Sequence, residues 1–121
     1  MKPTKLLLVL VTLLSATHWG ISQESDEIKA KKVEKIEIQT SAQCSECKDR
    51  IEKNMAYVKG VKSVNLDLET KIVSIEYKTE KTDPDKLRVA ISKIGYDADD
   101  VNADIKAYNK LPACCQKGGH D

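Results

Sequence analysis

A chain of 121 residues with 20 basic against 19 acidic side chains carries a formal charge of only +1. That balance supplies no bulk attraction to nucleic acid or to an anionic membrane, and the length admits one modest core rather than two. No paired catalytic carboxylates, Ser/His/Asp set or phosphate-cradling glycine loop is visible, so the pattern does not point to an enzyme.

Residues 1–22 read as an export signal. Lys2 and Lys5 supply the positive start, Leu6 to Leu14 is apolar apart from Thr12, and Gly20 and Ser22 are the small residues before a cut at Gln23. The apolar run falls short of the roughly 20 residues that span a bilayer. No cysteine follows the cut, which disfavours a lipid anchor. A retained amphipathic anchor is the alternative, and the flanks fit it less well. The expectation is an exported chain, periplasmic or secreted, with no stable membrane insertion after cleavage. The formal charge turns slightly negative once Lys2 and Lys5 leave. Residues 23–32 are charged and almost without apolar side chains, a short flexible leader.

From Val33 the patterning becomes regular. Ile36, Ile38 and Thr40 alternate with Glu and Gln, the period of a strand with one buried face. Cys47, Ile51, Met55 and Val58 then fall at intervals of four, four and three, one stripe of a helix that Gly60 stops. Val64, Leu66 and Leu68 alternate again, as do Val73, Ile75 and Tyr77, with Glu69-Thr70-Lys71 as the connection of a hairpin whose turn lacks Gly or Asn. Asp83 caps a second helix with Pro84 at its first position, where a missing N–H costs nothing. Leu87, Ala90, Ile91 and Ile94 form its apolar stripe, Gly95 ends it, and Tyr96 to Ala98 reads as a short closing strand. The order βαββαβ predicts an α+β, ferredoxin-like sandwich over residues 33–98, a four-stranded antiparallel sheet with two helices on one face. Residues 99–121 form a C-terminal extension. In it Val101, Ile105 and Tyr108 predict a short amphipathic helix, stopped by Pro112 and followed by the vicinal pair Cys114-Cys115.

All four cysteines, Cys44, Cys47, Cys114 and Cys115, lie beyond the cut, in two tight clusters. Structural disulfides staple distant segments, so clustering favours ligand chemistry. Cys44-Ser45-Glu46-Cys47 sits where the first strand gives way to the first helix. Thiolates select soft ions, Cu(I) and Hg(II) first, with Zn(II) and Cd(II) as further candidates. Cys47 lies in the first helical turn, where free N–H groups and the macrodipole favour an anion, so its pKa is expected below the free value of about 8.5. Two sulfurs on a loop suit low coordination numbers and leave the ion open to attack by another thiol.

The Cys44-Ser45-Glu46-Cys47 loop, Ile51-Glu52-Lys53, the Gly60-Val61 helix exit, the strand from Val64 to Leu68 and Gly95-Tyr96 together resemble the heavy-metal-associated domain. That family includes copper chaperones, metal-binding domains of copper-transporting ATPases and the periplasmic mercury-binding protein. The resemblance covers Val33 to Ala98 and implies that Cys44 and Cys47 bind Cu(I) or Hg(II). Gln43 departs from it, standing where the family usually carries a Met that packs beneath the loop.

Adjacent Cα atoms lie about 3.8 Å apart, below the usual disulfide range of about 4.4–6.8 Å, so Cys114 and Cys115 would bridge each other only with strain. A helix from Val101 to Lys110 rises about 15 Å, enough to bring the tail back along the domain. The expectation is that Cys114 and Cys115 approach Cys44 and Cys47, completing a four-thiolate site or acting as a transfer pair; free tail thiols or a disulfide to a partner are the alternatives. His120 reads as a solvated terminal residue rather than a ligand, Met55 as core, and Tyr96 as core or as a residue over the metal loop. The expected function is an exported monomer that scavenges or relays a soft metal ion to a thiol-bearing acceptor or metal transporter. A thiol-disulfide oxidoreductase using Cys44 and Cys47, or a module docking on a metal transporter, are the rivals.

Overall fold

The computed structural model describes residues 32–119. The expected export signal, the leader up to residue 31 and His120 lie outside the described residues. Among those described, no helix is long and apolar enough to cross a membrane.

Three strands, β1 (Val33–Gln39), β2 (Val61–Asp67) and β3 (Ile72–Lys78), form an antiparallel sheet in the order β1-β3-β2. The period-two patterning sets the register. Ile36 faces Ile75 and Ile38 faces Val73 on one side of β3, while Val64 faces Ile75 and Leu66 faces Val73 on the other. These apolar residues share one face of the sheet, because side chains at i and i+2 point the same way. Helix α1 (Ser45–Met55) lays Cys47, Ile51 and Met55 against that face, and helix α2 (Pro84–Ile94) adds Leu87 and Ile91.

Local signals placed most of these elements. Asp83 caps α2 by accepting from the Lys86 N–H at 2.9 Å, Pro84 follows at the first position, and Gly95 ends the helix at φ +118°. Between β2 and β3, where no Gly or Asn is present, the Asp67 carboxylate accepts from the Glu69 N–H at 2.8 Å and Lys71 takes the left-handed conformation at φ 62°. The first helix ends earlier than its stripe suggested. It stops at Met55; Val58 is held half-buried in a turn, and Gly60 (φ +90°) leads directly into β2.

Two charged residues of α1 fasten it to the edge of the sheet. Leu66 lies on β2, an outer strand, and its N–H donates to Glu52 Oε2 at 3.0 Å while its carbonyl accepts from Lys48 Nζ at 2.7 Å. An outer-strand N–H and C=O are thereby satisfied without another strand. The same clamp sets the position of the loop that opens α1.

The expected fourth strand is reduced to a bridge between Thr40 and Ala98, and among the described residues the sheet has three strands. The chain turns at once: Asp99 adopts φ 52°, and Val101 bonds back to Ala98. Asp99 then occupies the place beside β1 with both its backbone and its side chain, exchanging bonds of 2.8 and 2.9 Å with Gln39. A segment that folds on itself within four residues cannot run on along β1. The remaining order and layering are those of the ferredoxin-like sandwich.

The helix of the extension is also shorter than predicted. This helix, α3, is Ile105–Asn109, capped by Asp104. Ile105 is 75% exposed, Tyr108 is half-buried against the core, and Leu111, just beyond the helix, is buried. Val101 is used up in the bridge to Ala98, so the period inferred through it was not a helical one.

Candidate metal centre

The loop from Thr40 to Cys44 is tied to two neighbouring segments and to itself. Thr40 Oγ1 donates to the Lys71 carbonyl at 2.8 Å and accepts from the Ala42 N–H at 3.2 Å, while Ser41 Oγ accepts from the Asp97 N–H at 2.9 Å. Cys44 is the residue that caps α1, with extended backbone and no side-chain cap bond, so its sulfur is free for other partners. Cys47 follows within the first turn, on the inward stripe. The two sulfurs therefore converge at the rim of the sandwich, 3.4 Å apart.

The tail returns to this rim. After α3 the chain packs Leu111 against Gly95, where the absence of a side chain matters. A Cβ there would stand 3.1 Å from the Ala107 carbonyl carbon and 3.2 Å from Leu111 Cδ1. Ala113–Cys115 then form one turn of 3₁₀ helix against α1. Cys115 is buried with its sulfur 4.0 Å from that of Cys44, and Cys44 Sγ also faces the Cys114 carbonyl at 3.6 Å. The sulfurs of Cys44, Cys47 and Cys115 all lie within 4.8 Å of one another. The fourth does not join them. Cys114 Sγ is 3.8 Å from Cys115 Sγ but donates to Glu46 Oε2 at 3.0 Å, so it forms a second grouping with Glu46 and Cys115.

All four thiols are free. Burial opposes ionisation of Cys47, yet a backbone hydrogen bond from Gln43 and the side chains of Cys115, Tyr96 and Cys44 together hold it below its usual value. The direction is that expected from the helix start, while the sources are the loop and the neighbouring thiols. The tail thiols go the other way. The hydrogen bond to Glu46, then desolvation, push Cys114 up to about 12, and burial followed by the neighbouring Cys47 raises Cys115. Cys47 is therefore the readiest anion of these three, with thiols around it to share the charge.

Sequence reasoning assigned no role to two further residues. Glu46, between the loop cysteines, accepts from Cys114; Arg50, one turn beyond Cys47 on α1, lies close enough to Cys115 and Tyr96 for their charges to raise its own pKa against desolvation. Spacing of three along α1 was a usable signal for Arg50. Neither role could be read without knowing where the tail lies. Tyr96 is fully buried beside Cys47 and Cys115, and both thiols, after desolvation, raise the pKa of its phenol.

Residues 41–97 match the heavy-metal-associated domain. A copper-exporting P-type ATPase of Staphylococcus aureus (strain JH9) is 40% identical over 67 residues, which cover 54% of this chain and 8% of the ATPase. The chain thus spans less than a tenth of that relative's length. Among solved structures, a CopZ metallochaperone is 27% identical at a TM-score of 0.52, over 54% of this chain and 98% of its own. Oxidized MerP from Ralstonia metallidurans CH34 is 25% identical at a TM-score of 0.53, over 55% of this chain and 94% of its own.

Proposed function

We propose, for a chain whose residues 41–97 belong to the heavy-metal-associated domain family, that it is an exported carrier which takes up Cu(I), or Hg(II), on Cys44 and Cys47 and passes it to a thiol-bearing acceptor such as a metal transporter. The observation that carries this reading is the pair of free sulfurs 3.4 Å apart on a loop anchored to two other segments, one of the sulfurs held below its usual pKa. Thiolates suit a soft ion, and a site at the rim suits exchange with an incoming thiol. The ion is cargo rather than a structural staple, since the sandwich already has an apolar core extending well beyond the cysteines. The copper-exporting relative supports copper as the cargo and the metallochaperone supports a carrier's role, while the resemblance to a family that includes the periplasmic mercury-binding protein keeps mercury as the second candidate. Export rests on the charge and apolar pattern of residues 1–22.

The test is anaerobic titration of the reduced chain with Cu(I) against a chromophoric Cu(I) chelator. The expected result is stoichiometric uptake that falls by at least about a thousandfold in affinity when both Cys44→Ser and Cys47→Ser are introduced, on the order of two lost metal–thiolate bonds. Unchanged uptake in that variant overturns the carrier reading. Reduction of insulin by the same pair, at rates typical of redox enzymes, would favour the oxidoreductase instead. Fractionation of the cells that make the protein tests export.

A further inference from the structure

We propose that Cys115 is a third ligand for the same cargo, so that the ion rests among the sulfurs of Cys44, Cys47 and Cys115, with Arg50 offsetting part of their charge. This deepens the carrier reading and rests on it.

Geometry is the first support. A metal–sulfur bond of about 2.3 Å puts the two sulfurs of a linear site about 4.6 Å apart and the sulfurs of a trigonal site about 4.0 Å apart. Cys44 and Cys47 are 3.4 Å apart, so holding an ion linearly between them alone means opening the loop by more than an ångström. Cys44 and Cys115 stand at 4.0 Å, and the whole triad lies within 4.8 Å. Three-coordination asks the Cys44–Cys47 pair to open only about half as far.

The third ligand is also built in rather than left on a loose tail. Leu111 is buried, Gln116 Nε2 donates to the Leu111 carbonyl at 3.1 Å, the Lys117 N–H donates to Tyr108 Oη at 2.8 Å, and Lys117 Nζ meets Asp97 Oδ2 at 2.8 Å. These contacts bracket Cys115 on both sides along the chain. Its ordering is completed on folding, and binding need not supply it.

Finally, two buried side-chain polar atoms lack a hydrogen-bond partner among the described residues, Tyr96 Oη and Arg50 Nε. Both residues neighbour Cys115. A buried donor without an acceptor is costly, and a thiolate at Cys115 supplies one. Cu(I) bound by three thiolates leaves two net negative charges at the site, of which the Arg50 guanidinium offsets one. Each thiol loses its proton to solvent as its sulfur bonds to the ion, and no electron is transferred. Cys114, turned toward Glu46, stays outside the first coordination sphere.

Sulfur counting by X-ray absorption on the reduced, Cu(I)-loaded full chain tests this without any substitution. About three sulfurs at a single bond length are expected, falling to two in Cys115→Ser, with a loss in Cu(I) affinity of at least about tenfold, the size an outer-shell partner alone can have. Two sulfurs in the unaltered chain, or an unchanged count and affinity in Cys115→Ser, overturn the third ligand while leaving the carrier reading intact. A loss of one sulfur in Cys114→Ser but not in Cys115→Ser overturns it as well. Retention of Cu(I) after Cys44→Ser with Cys47→Ser brings down the carrier reading instead, and the two failures are distinct.

Discussion

The two cysteine pairs share their chemistry and differ in their support. Cys44 and Cys47 stand where β1 meets α1, on a loop bonded to the β2–β3 turn and to the segment after α2. Cys114 and Cys115 stand in a single 3₁₀ turn, reached through a five-residue helix and held by side chains of the tail itself. The electrostatic outcome follows the placement. Hydrogen bonds to Cys47 outweigh its burial and favour the thiolate, whereas the carboxylate of Glu46 keeps Cys114 protonated. A thiol's readiness to bind a metal is thus set by what the fold places beside it rather than by cysteine spacing.

That contrast can be broken from the tail side. After the loss of uptake in the double serine variant, the largest effect is expected from Leu111→Ala, which removes the tail's main apolar anchor. Truncating a buried leucine costs about 2–4 kcal/mol, to be read from urea unfolding; a change below about 0.5 kcal/mol would mean that the tail is no part of the core. Released Cys115 should also become reactive toward a bulky thiol reagent. Tyr96→Phe sharpens the comparison at the loop, since it removes a buried hydroxyl that stands beside Cys47 and Cys115 without a hydrogen bond of full geometry to either. The apo protein should gain up to about 1 kcal/mol, and a loss of that size would show that the hydroxyl is bonded after all.

The smallest effect is the one that depends on pH. The hydrogen bond to Lys117 leads the causes that hold Asp97 below its ordinary value, and the same bond raises Lys117. The depressed carboxyl contributes stability above the unfolded value of about 3.9, lost as pH falls through the folded value. The raised ammonium contributes below about 10.4, lost as pH rises through its folded value. Lys117→Ala should therefore cost roughly 0.2–1 kcal/mol at neutral pH, the range for exposed pairs. At pH 3 and in high salt, calorimetric scans of the two proteins should differ less. A constant difference across that range would remove the ion pair from the account of how the tail is held.

How far the sequence could be read depended on how local each decision was. The α2 boundaries were legible because Asp83, Pro84 and Gly95 act within one helical turn of where they stand. The loop cysteines were legible because the change of period from two to 3.6 falls between them and the strand before. The closing strand was misread, since Tyr96 and Ala98 are buried as a strand would bury them while Asp99 turns the chain away. Helix α3 was misread for a similar reason: Val101, Ile105 and Tyr108 have helical spacing, but only the last of them lies on the helix facing the core.

The amino-acid order by itself settled the two helices, the hairpin, the buried face of the sheet and the site of the loop thiols, because each depends on contacts between residues close in the chain. Tertiary structure alone decided that the tail returns, that Cys115 rather than Cys114 faces Cys44 and Cys47, and that Glu46 and Arg50 attend them. Those choices are made between residues some seventy positions apart, as between Cys44 and Cys115. Periodicity carries no information across that distance; only the packing of Leu111 on Gly95 and the bonds of Gln116 and Lys117 fix it.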